Sequence, residues 1–206
     1  MDLILLQFGD DSFTKPQDPA GSGLLDPSGG SLIDGADFGD SWTALTANAG
    51  GSGFDPKKCV ELVSINQGLQ QQVTTDVSNS ARTSGRPIIS DFTCVKYVDV
   101  ASPKMYDYCL RAKPLDSDSG SPTMIFVLRN SGDQLNIIMR FELRLALISE
   151  IQFQSHPNDM ATEQFKLNFT EITWHHQLQG PGMQNKGTMA AGWSIAKNRP
   201  IGALTS

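Results

Sequence analysis

The sequence predicts a mainly β fold, an antiparallel barrel or sandwich with one short helix. Two observations carry this. Two long segments place their apolar residues at every second position, with turn-forming clusters between them. One other segment combines a helix start, helical spacing and a stop. Side chains on a strand alternate between its faces, so a period of two marks a strand with one dry side.

The clearest case is 135–147, where Leu135, Ile137, Met139, Phe141, Leu143, Leu145 and Leu147 alternate with residues that include Asn136, Arg140, Glu142 and Arg144. A helix would scatter that apolar set around its circumference, so one long strand with a charged face is expected. Ser149 and Glu150 break the pattern before Ile151 and Phe153, and His156, Pro157, Asn158 and Asp159 form a turn cluster. In the next strand Phe165, Leu167 and Phe169 share a side, while Ile172 and Trp174 fall out of step. A slip of one residue near Thr170 and Glu171 restores all five, which predicts a β-bulge at a corner. Met124, Phe126 and Leu128 precede the turn at 130–133, so 123–129 pairs with the 135 strand as a hairpin. Further strands are expected at 3–8, 60–67, 70–75, 88–98 and 189–195. The helix starts at Ser102, a good N-cap, with Pro103 in the first helical position. Met105, Cys109 and Ala112 recur at helical spacing, and Lys113-Pro114 stops the run after about ten residues.

A chain of 206 residues fits one domain, 1–206. The segment 9–57 stands apart as a long Gly/Asp-rich loop insertion. It holds eight Asp against two Lys, a net charge of −6, which equals that of the whole chain. The remainder is therefore neutral. Apolar islands at Leu24, Leu25, Leu32, Ile33, Phe38, Trp42, Leu45 and Phe54 predict a loop that docks through a few anchors. The acidic balance argues against nucleic acid as a partner, because phosphate recognition needs a basic footprint. No apolar run reaches the ~18 residues of a membrane-spanning helix, so no membrane insertion is expected. The apolar start, Met1 to Phe8, lacks a basic leader and a small-residue cleavage site, so it does not read as a Sec signal. Cys59, Cys94 and Cys109 have neither metal nor redox spacing and read as reduced, packed thiols.

The search for chemistry returns no catalytic residue, cofactor or metal site. His175 and His176 are adjacent on a strand, so they face opposite ways and cannot share a metal. Asp26, Asp34, Asp37 and Asp40 are dense enough to suggest calcium, but their spacing is irregular and the stretch contains no Glu. No Gly-rich loop joins a strand to a helix, which removes a phosphate cradle. The protein is not expected to be an enzyme.

Three stretches, in order, resemble the haemolysin-coregulated protein (Hcp) family, the tail-tube subunit of type VI secretion systems. The best is Asp91-Phe92-Thr93-Cys94-Val95-Lys96-Tyr97-Val98-Asp99-Val100-Ala101-Ser102-Pro103-Lys104-Met105, similar to a family strand followed by a Ser/Thr-Pro helix start. The second is 165–174, from Phe165 to Trp174, similar to a late strand ending in an aromatic. The third is Gly192-Trp193-Ser194-Ile195-Ala196-Lys197-Asn198, similar to a closing Gly/Ser-Trp motif. A weaker match is 63–68. The loop at 9–57 departs from the family pattern, which is much shorter there.

The resemblance implies a barrel of two packed sheets with a flanking helix, assembled into homohexameric rings that stack into a tube. It also implies contractile sheath proteins, a trimeric spike protein and secreted effectors as partners. Such a tube assembles in the bacterial cytoplasm and is then expelled by the type VI system. Within that picture the even positions of 63–74, including Ser64, Asn66, Gln70 and Gln72, are expected to face a wet lumen. The odd ones, Val63, Ile65, Leu69 and Val73, are expected to face the core. Arg140, Glu142 and Arg144 are expected to contact a neighbouring subunit or line the channel. A phage or contractile-injection tail-tube protein shares these expectations. A monomeric ligand-binding β-barrel is the reading of a different class.

Overall fold

The structure is a computed structural model, and the residues it describes are 2–10, 54–55, 58–76, 81–117, 120–131, 134–179 and 185–204. The strands are β1 (Asp2–Gln7), β2 (Cys59–Leu62), β3 (Ser64–Asn66), β4 (Leu69–Gln70), β5 (Val73–Asp76), β6 (Ala81–Ser84), β7 (Ile88–Ile89) and β8 (Phe92–Tyr97). After helix α1 (Ser102–Leu110) come β9 (Thr123–Ser131), β10 (Gln134–Arg144), β11 (Leu147–Gln154), β12 (Thr162–Asn168), β13 (Glu171–Gln179), β14 (Asn185–Ser194) and β15 (Arg199–Pro200). They form a seven-stranded sheet in the order β15-β14-β13-β10-β9-β1-β2 and a four-stranded sheet in the order β11-β12-β8-β3. Two further pairs, β4-β7 and β5-β6, continue the β3/β8 hairpin as a ribbon. Among the described residues the ladders do not close into a barrel. The expected β-barrel of two packed sheets is corrected in that respect: the described strands form two stacked, open antiparallel sheets.

The core between them is filled by Leu6, Phe8, Val60, Leu62, Phe92, Cys94, Met105, Ile125, Leu143, Phe165, Leu167, Phe169 and Ile172. The chain passes from one sheet to the other at three corners: Val63, Leu145–Ala146 and Phe169–Thr170. Two of these revise the sequence reading. The expected single strand over 135–147 is cut at Leu145, which adopts φ 51° and sends β11 into the other sheet. A non-glycine residue in that region is strained, on the order of 1–3 kcal/mol. The carboxylate of buried Asp116 holds it by accepting from the Leu145 and Ala146 N–H groups, both at 2.8 Å. Likewise no in-sheet bulge forms at Thr170. Phe165, Leu167, Phe169 and Ile172 do share one core with Trp174 packed on it, but a change of sheet unites them.

A real bulge lies earlier, at Ile138, between the pairs Ile137–Leu128 and Met139–Val127. It reverses the alternation, so the odd-numbered apolar residues of β10 do not share a face. Phe141 and Leu143 point into the shared core. Leu135 and Ile137 point outward, into a second cluster with Leu5, Cys59, Met124, Phe126 and Leu128. Phe54 closes on that cluster, its ring 4.8 Å from Phe126 in an edge-to-face arrangement. One expected anchor of the Gly/Asp-rich loop thus docks. The other anchors, and Asp26, Asp34, Asp37 and Asp40, lie outside the described residues.

Helix α1 is nine residues long and buries Ser102, Met105 and Tyr108. Cys109 is only half-buried, and Ala112 lies beyond the helix, exposed. Ala101 takes the cap position, so Ser102 is not the N-cap. Its hydroxyl instead joins a buried charged network. Lys96 Nζ, fully buried, lies 2.7 Å from both Glu163 and Asp99 and 3.1 Å from Ser102 Oγ. Ser102 Oγ donates to Glu163 Oε1 and Tyr106 OH donates to Glu163 Oε2, at 2.8 and 2.7 Å. The Lys-Tyr-Val-Asp-Val-Ala-Ser-Pro stretch therefore clamps the helix to β8 and β12.

Candidate functional site

The outward face of the four-stranded sheet is the most coherent polar surface among the described residues. Register places its side chains in rows. Asn66, Thr93, Lys166 and Glu150 form one row across β3, β8, β12 and β11. Ser64, Val95, Gln164 and Gln152 form the next, followed by Tyr97, Thr162 and Gln154. The opposite face of these strands, carrying Phe92, Cys94, Phe165 and Leu167, belongs to the core. The charges in the rows are Lys166 and Glu150, which pair at 2.5 Å. The lysine holds the Glu150 carboxyl below its ordinary range, and the carboxylate raises the lysine in return. Glu150 also accepts from Gln152. At the rim, Asp91 accepts from Ser149 Oγ and Asn168 Nδ2, each at 2.8 Å.

Ser64 and Asn66 stand on this face and are exposed. Gln70 and Gln72 are exposed too, but they belong to the ribbon rather than to the sheet. Pairing slips by one residue between Asn66–Thr93 and Leu69–Ile89, and again before Val73–Ser84. In both slips the extra residue lies on the returning strand, so the period of two counted from Ser64 is not broken by them. The companion expectation for the odd positions nevertheless holds only at Ile65. Ile65 packs on the core, whereas Val63, Leu69 and Val73 are about half exposed, at 48%, 61% and 50%.

Arg140 and Glu142 lie on the other sheet, on its outward side. Arg140 Nη2 is 2.9 Å from Glu142 Oε1, and Thr173 Oγ1 donates to Glu142 Oε2 at 3.1 Å. His175 Nε2 sits 3.6 Å from the same carboxylate and 3.1 Å from Thr173 Oγ1. Burial pushes the His175 imidazole below its usual value. The Glu142 carboxylate partly restores it, and Arg140 lowers it further. Arg144 is separated from this group. Its guanidinium donates to the carbonyls of Ser117 and Gly120, at 3.0 and 2.9 Å, which ties these two residues to β10.

The residues that sequence reasoning missed are Gln164, Lys166, Gln152 and Gln154. The signal for the first two was the alternation of 162–168, where Thr162, Gln164, Lys166 and Asn168 interleave with Glu163, Phe165 and Leu167. No group of three His, Cys, Asp or Glu residues among those described is placed to hold a metal ion. No helix among them is long and apolar enough to cross a membrane. All three cysteines are free, with Cys59 and Cys94 buried and their thiols pushed up by desolvation.

Residues 51–176, more than half of the chain, match the family model described as "Type VI secretion system effector, Hcp". The chain belongs to this family. The match begins inside the last seven residues of the Gly/Asp-rich segment 9–57. Solved structures agree on the Hcp fold over almost the full length. A structure described as a type six secretion system protein superposes with a TM-score of 0.68 at 14% identity, covering 98% of this chain and 100% of that one. Hcp1 from Salmonella typhimurium gives 0.58 at 14% identity, covering 97% and 99%. Secreted protein Hcp3 from Pseudomonas aeruginosa gives 0.52 at 13% identity, covering 92% and 97%. No curated protein matches the chain in sequence.

Proposed function

We propose that this Hcp protein is the subunit of a type VI secretion inner tube, in which homohexameric rings stack and carry effectors in their lumen. One observation carries the reading. The four-stranded sheet has a wet outward face and two edges, β3 and β11, that pair with no further strand among those described. Free edges invite pairing with another chain. Joining the β11 edge of one subunit to the β3 edge of the next is a heterologous contact, the kind that generates a ring when its rotation closes. The polar face, with Ser64, Asn66, Gln152 and Gln164, then becomes the channel wall. The ribbon carrying Gln70 and Gln72 also exposes Leu69, Val73 and Ile88, an apolar set suited to burial against the next ring.

Arg140 and Glu142 then face away from the channel, toward a contractile sheath. A trimeric spike would cap the tube, which assembles in the bacterial cytoplasm and leaves through the type VI machinery. A charge of −6 per subunit makes stacking dependent on ionic strength. The ligand-binding barrel fits less well, because side chains such as Phe92, Phe165 and Met105 occupy the space between the sheets.

The deciding experiment is native mass by light scattering behind a sizing column, at low and moderate salt. About six times 22.3 kDa is expected, with a central hole in electron micrographs. A monomer at every salt and protein concentration overturns the ring.

A further inference from the structure

One corner of the fold is held against the local preference of its own sequence. Phe141, Leu143, Leu145 and Leu147 keep a period of two, which favours a strand that runs straight on. The chain instead turns at Leu145, with φ 51°, and two residues later β11 begins as an edge of the other sheet. Asp116 supplies the hold. Its buried carboxylate accepts from the Leu145 and Ala146 N–H groups at 2.8 Å and from Thr123 Oγ1 at 3.3 Å, with Arg144 Nη1 3.8 Å away. The adjoining Leu115 N–H donates to the Ala146 carbonyl at 2.8 Å, and the Leu115 carbonyl accepts from the Asp10 N–H at 2.7 Å. Gly9 lies so close that a Cβ there would come within 2.6 Å of Asp116 Cβ. The corner is thus braced from the end of β1 and from the loop after α1, both remote in sequence.

We infer that Asp116 is a positioning residue for assembly: it holds the Leu145 corner and so delivers β11 to the free edge through which one subunit joins the next. The inference rests on the tube reading and names the residue that makes its edge available. An edge strand pairs with another chain only when its unpaired N–H and C=O groups are held in line. Among the described strands β11 is held on one side, by β12, so its entry from the corner is its other restraint. Without the carboxylate two N–H groups lose their acceptor, and nothing offsets the left-handed backbone at a leucine. The joining edge then loosens from its Leu147 end. The two cores are filled mainly from other strands and keep the subunit folded.

The test reads two quantities on the full chain: the concentration of half-assembly, by light scattering over a dilution series, and amide exchange across 147–154, by mass spectrometry. Asp116→Asn keeps the side chain's size and loses one acceptor oxygen. It is expected to need about tenfold more protein, or beyond, for half-assembly, and to exchange faster at 147–154 with 171–179 unchanged. Leu145→Val puts a β-branched residue at positive φ with Asp116 intact, and should act the same way. If Asp116→Asn does not fold, Leu145→Val decides. Leu145→Gly added to Asp116→Asn relieves the backbone strain and should move both readouts back toward the wild type, which a general loss of stability would not do. Phe126→Ala, in the outward cluster of the other sheet, is the control. The inference is overturned if Asp116→Asn and Leu145→Val assemble at wild-type concentrations, or if Leu145→Gly reverses nothing. It is also overturned if Phe126→Ala, at a comparable loss in melting temperature, raises the half-assembly concentration as much. A wild-type chain that forms no rings, with the exchange pattern as expected, overturns the tube reading alone.

Discussion

The two sheets share one buried interior and differ on their other sides. The seven-stranded sheet is dry on both faces at its β1-β9-β10 centre, where Leu5, Phe126 and Leu128 are fully buried beneath Phe54. The four-stranded sheet is dry on one face and wet on the other. A sheet buried on both sides is a scaffold. A sheet kept polar across four strands is a surface the molecule presents. Under the tube reading proposed above, the smaller sheet is the surface offered to the channel and the larger one the scaffold behind it.

The largest expected effects lie in the shared interior. Glu163→Ala leaves buried Lys96 with Asp99 but without the other of its two carboxylates at 2.7 Å, at a cost of up to about 3–5 kcal/mol, read as a lowered denaturant midpoint. Adding Lys96→Met to it should recover part of that loss, because the under-compensated buried charge is then gone. Phe165→Ala and Phe126→Ala test the comparison directly, since one ring fills the interior and the other the outward cluster. Both should cost about 3–5 kcal/mol. If Phe126→Ala costs under about 1 kcal/mol, the outward cluster is not a second core and the contrast between the sheets collapses. Phe54→Ala sharpens the same point at a smaller scale. It removes the edge-to-face contact with Phe126 and should cost about 1–3 kcal/mol, again by denaturant midpoint.

Most strands were legible because half-buried strands write their period into the sequence. The 123–131 hairpin strand, β10 up to Arg144, β12 and the helix follow from residues such as Phe165, Leu167, Pro103 and Met105. Corners were harder. Leu145 looks like one more apolar residue in a period of two, and the contact that turns the chain there comes from Asp116, remote in sequence. The bulge at Ile138 was invisible because Ile137, Ile138 and Met139 are all apolar, so no polar residue marks the reversal. Of the candidate site, Ser64 and Asn66 were found from local alternation. Their neighbours Gln152 and Gln164 come from strands about 90–100 residues away, joined only by register.

On the outward side of the larger sheet, beside the apolar cluster, His175 supplies a pH effect of smaller size. Its folded-state pKa is lowered by burial, so the unfolded chain binds the proton more readily near the ordinary imidazole value of about 6.5. The stability this gives is fully present above that pH and is lost as pH falls through the lower folded value. His175→Asn should remove that part of the slope in a melting series across the acid range. An unchanged slope would place the proton uptake elsewhere.

The smallest effect is predicted on the wet face, and it gives the comparison its other limb. Gln164→Ser shortens one amide on an interior strand whose outward side is already hydrated. It creates no cavity in the core, strands no charge and leaves the β8-β12-β11 ladders intact, so stability should stay within about 0.5 kcal/mol. A cost near that of Phe126→Ala would mean that the face is packed in the free chain. It could not then be the surface that the subunit offers to a channel.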